Sequence, residues 1–332
     1  MNTQLAIQQL RDVIRRQHLS ISTENSYVYW LKRYIATITR LPQSFTSEQK
    51  AEHFLNEMAK NRDVSATTQH QAFNAIAYFY RDVLRKPLQN VDALRVSRPV
   101  RLRQAPSIAN VRNLLQNVPN IAGYPTNLIA RLLYGCGLRV TEPLNLRIKD
   151  VDLDHSTFAI RDAKGGKDRV IPLPPMLKPE IVLQMQFAKT IWSLDQQNRV
   201  PLQIPDKLGQ KYPEYQFSWF WAWLFPARNT CSHPRTCQIV RFHMHEANVQ
   251  RAIKIARRKL GIMVLPHELR HGYATHALEF GANPRAIQEV MGHKSLETTM
   301  KYLHADSLNV RSPLETVLAG ISGSAQNLNC PA

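Results

Sequence analysis

Apolar residues in the first part of the chain recur with the spacing of amphipathic helices. One stripe lies at the start of the chain, and a second follows Ser22 and Thr23, which can cap a helix. Further apolar groups predict a third helix around residues 54–58 and a fourth over residues 67–85. Four helices of this size form a small bundle. The positions that define the stripes are Leu5, Leu10, Val13, Ile14, Tyr27, Trp30, Leu31, Tyr34, Ile35, Phe54, Leu55, Met58, Phe73, Ile76, Ala77, Phe79, Tyr80 and Leu84.

A second pattern begins after a stretch rich in arginine and proline. Residues 107–117 and 125–136 have helical spacing, whereas residues 157–161 and 169–173 alternate as strands do. The intervening segment Asp162–Asp168 contains two glycines and predicts a hairpin turn. The sequence therefore predicts a mainly α protein with a small antiparallel sheet, an α+β fold.

Both halves of the chain are basic. The net charge is +18 and the pI is about 10. Residues 1–106 contain 16 Lys and Arg against 8 Asp and Glu, and the remaining residues contain 27 against 17. This balance predicts a polyanionic partner held from two sides, rather than one basic tail. A solvated basic surface without function is the alternative.

The sequence carries no sign of export or of membrane insertion. The N-terminal Met-Asn-Thr-Gln-Leu lacks the regions of a signal peptide, and no apolar run has the length of a membrane span. The four cysteines, at positions 136, 231, 237 and 330, show no disulfide spacing and suit a reducing compartment. We expect a cytoplasmic protein.

Arginines and prolines alternate between the two patterns. Proline disfavours helix there, so the segment 95–106 is expected to be an extended linker whose arginines track a phosphate backbone. An ordinary soluble tether is the alternative. The arginines are Arg95, Arg98, Arg101 and Arg103.

Two histidines and an arginine in the last third of the chain have the spacing of a phosphate site. His267 and Arg270 lie three residues apart, so a helix that begins at Pro266 places both on one face. His293 follows Gly292, which is expected to end a preceding helix. A histidine exposed after a helix end can donate to a phosphate oxygen. These residues predict a site for one phosphate group.

Arg139 and Tyr302 complete this predicted site. Two guanidiniums can hold the oxygens of a phosphodiester, whose negative charge grows during displacement, and a phenol can attack the phosphorus. Glu142 lies three residues after Arg139 and is expected to orient it, although such a pair alone is usually a minor salt bridge. Because no group of carboxylates accompanies the cluster, we expect neither a two-metal nuclease nor any cofactor.

This combination resembles the catalytic domain of the tyrosine recombinases. The resemblance implies a 3′-phosphotyrosyl intermediate on Tyr302, formed without metal or ATP, and a homotetramer on DNA in which a C-terminal segment docks on a neighbouring protomer. It also implies a mobile hairpin lysine that protonates the leaving 5′ oxygen. Lys164 matches that position, and its neighbour Lys167 is the alternative.

Residues 190–245 interrupt the expected catalytic domain and narrow the resemblance. Eight aromatic residues lie between positions 212 and 225, including three of the five tryptophans. With its Lys-Tyr-Pro and Phe-Pro marks, this insert resembles the additional segment of the integron integrases, which are bacterial proteins. The chain departs from that group at Pro143 and Gly272.

An integron integrase recombines gene cassettes at a folded single strand with unpaired bases, as well as at a duplex site. Aromatic faces can stack such bases, and Trp219 is the best match, with His243 and His245 as further contacts. The alternative is that these aromatics fill the core of the insert. A zinc site built from Cys231, His233, Cys237, His243 and His245 is a third interpretation, but its spacing fits no common zinc finger.

The expected organisation follows from these assignments. A helical DNA clamp, the arginine-rich linker, the catalytic domain with its insert and a disordered tail occupy residues 1–94, 95–106, 107–321 and 322–332. The competing functions are a phage-type or dimer-resolving tyrosine recombinase on duplex sites, a type IB topoisomerase and a non-catalytic DNA-binding protein.

Overall fold

The protein divides into two units, Met1–Leu102 and Arg103–Ala332. The computed structural model describes residues 2–60, 64–96, 105–161 and 168–292. The fold is mainly helical with a small antiparallel sheet, which confirms the predicted class.

The first unit is a bundle of four helices, as the apolar stripes predict. Leu10, Leu31 and Ile76 are fully buried in its core. The cap of the second helix is Ser20, whose side chain accepts the backbone N–H of Thr23 at 3.0 Å, so the predicted cap at Ser22 was wrong by two residues. The helices are α1 (Thr3–Arg16), α2 (Ile21–Ile38), α3 (Ser47–Lys60) and α4 (Ala66–Tyr78), and a π-helical turn (Phe79–Val83) follows α4.

The segment after the bundle is tied to α3. Glu48, Glu52 and Asn56 are spaced four residues apart and accept backbone N–H groups of that segment at 3.4, 3.0 and 2.7 Å. The buried Gln69 donates to the carbonyl oxygens of Leu55 and Leu94. The chain therefore stays with the first unit up to the start of the arginine-rich segment.

The second unit packs helices around a three-stranded sheet of order β1-β2-β3. Phe158 on β2 pairs with Ile171 on β3, and both are fully buried, so the predicted hairpin is confirmed. The elements are α5 (Ile108–Asn117), α6 (Thr126–Gly135), α7 (Thr141–Leu144), β1 (Val151–Asp152), β2 (Thr157–Ile160), β3 (Arg169–Pro172), α8 (Lys178–Gln197), α9 (Asp206–Lys211), β4 (Cys231–Ser232), β5 (Ile239–Val240), α10 (Glu246–Leu260), α11 (Pro266–Glu279) and α12 (Pro284–Met291).

Two buried arginines fasten the aromatic segment between α8 and α10. The Arg147 guanidinium lies 3.6 Å from the centroid of the Trp223 ring and donates to the carbonyl oxygens of Trp221 and Gln203 at 2.6 and 3.0 Å. Burial lowers its pKa to about 10. Arg241 forms a buried ion pair with Asp195, near the end of α8. The segment is therefore part of this unit's core.

Helix α8 continues unbroken through residue 190, the expected start of the insert. The irregular part of the segment begins only after Gln197. Among the helices described, none is long and apolar enough to cross a membrane.

Candidate active site

A tight turn between α6 and α7 presents Arg139. Gly137 has a φ of +60°, and a Cβ built on it would lie 2.4 Å from Cδ1 of Tyr273, so only glycine fits there. The Arg139 side chain is 28% exposed, which leaves part of it open to a ligand. Pro143 lies in the first turn of α7, where its missing N–H costs no helical hydrogen bond.

The carboxylate of Glu142 is the centre of an arginine cluster. Its Oε1 accepts Nη1 of Arg139 at 2.7 Å, and its Oε2 accepts the backbone N–H of the same residue at 2.8 Å. Oε2 also accepts Nη2 of Arg169 at 2.8 Å and lies 3.7 Å from Nη1 of Arg270. Glu142 thus holds Arg139 by both side chain and backbone.

The pKa of Glu142 lies below its ordinary value. Burial alone raises the pKa, but hydrogen bonds from Arg169 and Arg139, with the charge of Arg169, outweigh it. The carboxylate is therefore ionised at neutral pH. The four side chains together carry three positive charges and one negative.

Helix α11 places His267 and Arg270 in different environments. The helix begins at Pro266, as predicted, and the Glu268 carboxylate accepts the backbone N–H of Leu265 at 2.7 Å. His267 is exposed, with its ring centroid 4.6 Å from that of His271, whereas Arg270 is only 2% exposed. Residues three apart are offset around the helix, so one reaches the surface while the other enters the core.

Arg270 links the Arg139 turn to the end of α12. Its Nη1 donates to the carbonyl oxygen of Gly137 at 2.6 Å, and its Nη2 donates to that of Met291. Helix α12 ends at Gly292, whose φ is +62°, which confirms the predicted helix end. The turn and the helix end are thus held by one buried side chain.

Arg169 is a member of the cluster that the sequence pattern did not reveal. It is the first residue of β3, and its Nε donates to the carbonyl oxygen of Val290 at 2.6 Å. The alternation of β3 could have identified it. Arg169 shares the inward face with the buried Ile171, whereas Val170 is 67% exposed. A charged residue at an inward position indicates a buried partner.

Arg161 forms two ion pairs at the base of the hairpin that carries the candidate lysines. Nε of Arg161 lies 2.8 Å from Oδ1 of the buried Asp150, and Nη1 lies 3.4 Å from Oδ2 of Asp168. Lys164 and Lys167 fall between these positions and lie outside the described residues, as do His293, Tyr302, Arg98, Arg101 and Arg103. Arg95 is described and exposed, in the first unit.

Trp219 belongs to a half-buried pair of indole rings. Its ring centroid lies 5.7 Å from that of Trp192, in an edge-to-face arrangement. The Lys189 ammonium lies 4.0 Å from the Trp192 centroid and 4.6 Å from that of Trp219. The neighbouring Phe220 is 64% exposed. This surface therefore combines aromatic rings with positive charge.

His243 and His245 have separate local contacts. His243 packs edge-on against Trp223 with ring centroids 5.0 Å apart, and burial lowers its pKa. His245 is exposed and caps α10, where its Nδ1 accepts the backbone N–H of Ala247 at 3.1 Å. His233 is stacked on Phe242. Within residues 168–292, as elsewhere in the described chain, no three His, Cys, Asp or Glu side chains are grouped to hold a metal.

Models of known protein families match both units of the chain. Residues 107–308 match the phage integrase family, and residues 7–90 match the N-terminal SAM-like domain of phage integrases. An Escherichia coli protein called Integrase/recombinase is 37% identical over 94% of this chain and 93% of its own. Tyrosine recombinase XerA of Thermococcus kodakarensis is 30% identical over 88% of each chain.

A solved structure shares the fold. The integrase of the Tn1549 transposon, in complex with transposon right-end DNA, superposes with a TM-score of 0.57 over 96% of this chain and 99% of its own, at 17% identity. The chain belongs to the phage integrase family. It is a tyrosine recombinase, an enzyme that cleaves and rejoins DNA strands.

We predict that Glu142→Gln destabilises the second unit by about 3 kcal/mol or more at neutral pH, because three guanidiniums lose their buried counter-charge. The native pKa of Glu142 is depressed, so its contribution to stability is present above the unfolded-state pKa and is lost as pH falls through the native pKa. The difference between wild type and variant should therefore shrink at acidic pH.

Chemical denaturation over a series of pH values measures this difference. Glu180→Gln is the matched control, since it removes a carboxylate paired with Arg131 that is 37% exposed. A difference for Glu142→Gln that stays constant down to strongly acidic pH would show that the charge of Glu142 is not what stabilises the cluster.

Proposed function

We propose that this protein is an integron integrase, which inserts and excises gene cassettes at folded single-strand sites and at a duplex site. The observation that carries this proposal is the aromatic segment between α8 and α10. It is anchored by Arg147 and Arg241, holds Trp219 near the ammonium of Lys189 and exposes the ring of Phe220. Such a surface suits unpaired bases next to phosphates.

The charge of the Glu142 cluster suits phosphoryl displacement. A phosphodiester carries one negative charge, and its pentacoordinate transition state carries about two. Three guanidiniums and one carboxylate leave a net of two positive charges. We assign Arg139 to direct contact with the phosphate oxygens, because its side chain is partly exposed. Arg270 is buried, and we assign it to stabilising the negative charge of the same phosphate.

The remaining catalytic roles rest on sequence position and resemblance. Tyr302 attacks phosphorus to form the 3′-phosphotyrosyl bond, and the 5′ oxygen leaves. Lys164 protonates that oxygen, with Lys167 as the alternative. His267, which is exposed at the start of α11, and His293, which follows Gly292, contact the phosphate or transfer protons. The reverse attack by a 5′ hydroxyl restores the diester, so no energy source is consumed.

We predict that Tyr302→Phe abolishes the covalent protein–DNA adduct but changes DNA affinity by no more than about three-fold, because phosphate contacts supply most of the affinity. Adducts are counted as complexes that survive detergent, and affinity is measured by fluorescence anisotropy. Tyr273→Phe is the control, since Tyr273 packs on Gly137. An adduct that persists in Tyr302→Phe would remove Tyr302 as the nucleophile.

A second prediction concerns whether the protein prefers hairpin or duplex DNA, which the aromatic segment is proposed to decide. Wild-type protein is offered two DNA pools of equal stem length, one of hairpins with extrahelical bases and one of perfect duplexes, and the covalently captured strands are sequenced. We expect capture of one particular strand of the hairpins. Trp219→Leu, which keeps bulk but removes the aromatic face, should lower hairpin capture about ten-fold or more, since stacking contributes about 1–3 kcal/mol per base.

Duplex capture is the internal control for this experiment and should be unchanged in Trp219→Leu. Phe280→Ala, which removes an aromatic side chain 74% exposed at the end of α11, controls for the loss of any surface ring. Equal capture of hairpins and duplexes by wild type would favour the second candidate, a recombinase of duplex sites. That candidate keeps the tyrosine recombinase chemistry named for the relative XerA and assigns no base contact to Trp219.

We also propose that the active assembly is a homotetramer on two DNA sites. Residues 307–318 contain a short apolar stripe, Leu314, Val317 and Leu318, that is too small to be stable as a free helix. The segment lies outside the described residues. Docking on a neighbouring protomer in a closed ring would connect the four active sites.

A further inference from the structure

Arg169 connects three parts of the second unit that lie far apart in sequence, because it stands on one and its side chain contacts the other two. It begins β3, directly beyond the 162–167 segment that contains Lys164. Its Nη2 reaches Glu142 beside the Arg139 turn, and its Nε reaches the carbonyl oxygen of Val290 near the end of α12. Its side chain is only 9% exposed, and Nε and Nη2 both donate to acceptors within the protein.

Arg169 and Arg270 hold consecutive carbonyl groups. Nε of Arg169 takes the oxygen of Val290, and Nη2 of Arg270 takes that of Met291. The last carbonyl groups of a helix have no partner within the helix, so outside donors can fix the position of its end. Both guanidiniums also lie beside Oε2 of Glu142, through Nη2 of Arg169 at 2.8 Å and Nη1 of Arg270 at 3.7 Å. The end of α12 is therefore connected to Arg139 through one carboxylate.

The space around this guanidinium is closed. Nη1 of Arg169 is buried and has no hydrogen-bond partner among the residues described. A Cβ built on Gly292 would lie 3.2 Å from that nitrogen, so any larger residue would press on the guanidinium. The guanidinium therefore has little room to move on the side that faces Gly292.

We propose that Arg169 is a positioning residue for strand cleavage, which sets Arg139 through Glu142 and fixes the end of α12 that leads into His293. This inference rests on the proposed roles of Arg139 and His293. Two donors of one planar guanidinium serve two acceptors at once, and the single ammonium of lysine cannot reproduce that geometry. The role therefore requires arginine, not only a positive charge.

The test compares cleavage with binding in variants of the full-length protein. The probe is the oligonucleotide that wild type captures most from the two pools, nicked next to the cleavage position so that the adduct accumulates. Arg169→Gln should slow adduct formation about 100-fold, as removal of one preorganised donor does, while DNA affinity changes less than about three-fold. Arg169→Lys should remain slow. Arg131→Gln, which breaks a pair with Glu180, should react as wild type.

A double-mutant cycle identifies the route of the effect. If Arg169 acts through Glu142, the double variant Arg169→Gln/Glu142→Gln should be no slower than the slower single variant, within about three-fold. The proposal would be overturned if the fold reduction in the double variant equals the product of the two single reductions. A rate for Arg169→Gln within about three-fold of wild type would also overturn it. Where Arg169→Gln does not fold, Arg169→Lys decides, and a wild-type rate for it overturns the proposal equally.

A further variant, Arg139→Ala, distinguishes failure of the positioning role of Arg169 from failure of the proposed active site. Arg139→Ala should lose adduct formation because it removes the exposed phosphate contact. If Arg139→Ala keeps the wild-type rate, the proposed site is wrong. If Arg139→Ala is inactive while Arg169→Gln is fully active, only the positioning role of Arg169 is wrong.

Discussion

The ion pairs of Glu142 hold the candidate site together. Three guanidiniums in one buried region repel each other strongly, and a carboxylate among them is what lets them coexist. The Glu142 carboxylate binds both the side chain and the backbone N–H of Arg139. It therefore fixes the direction of the turn and also offsets the positive charge. Its depressed pKa keeps it ionised at neutral pH. A net positive charge remains for a ligand.

The same physical solution fastens the aromatic segment. Arg147 and Arg241 are buried, and each offsets its desolvation with backbone carbonyl oxygens, an aromatic ring or an aspartate. An irregular segment with few regular hydrogen bonds thereby gains a fixed position. That rigidity is what a surface needs to recognise unpaired bases by shape, since little ordering cost is left to binding. The proposed recognition of unpaired bases thus depends on arginines that are themselves buried.

Local signals in the sequence predicted local structure well. The bundle helices, the hairpin strands, the start of α11 and the end of α12 follow from periodicity, proline and glycine, whose effects act within a few residues. The family resemblance, drawn from Arg139, His267, Arg270, His293 and Tyr302, is confirmed by the match over residues 107–308. The cap at Ser20 was missed because several hydroxyl residues lie together there, and only the backbone geometry selects one.

The spacing of residues in the sequence did not predict which side chains are buried or which distant residues contact each other. The sequence did not show that Arg270 is buried while His267 is exposed, because that depends on what packs against α11. Arg169 was missed for the same reason, since its partners Glu142 and Val290 are distant in sequence. We propose that Glu142 aims Arg139 at the phosphate that is cleaved. A crystal structure of the Tyr302→Phe protein, bound to the DNA that wild type captures, would show where Arg139 lies. We expect the Arg139 guanidinium on a non-bridging oxygen of that phosphate, with Glu142 still bound to Arg139. A cleavage-site phosphate held elsewhere, with Arg139 turned away, would show that Glu142 does not aim Arg139 at it.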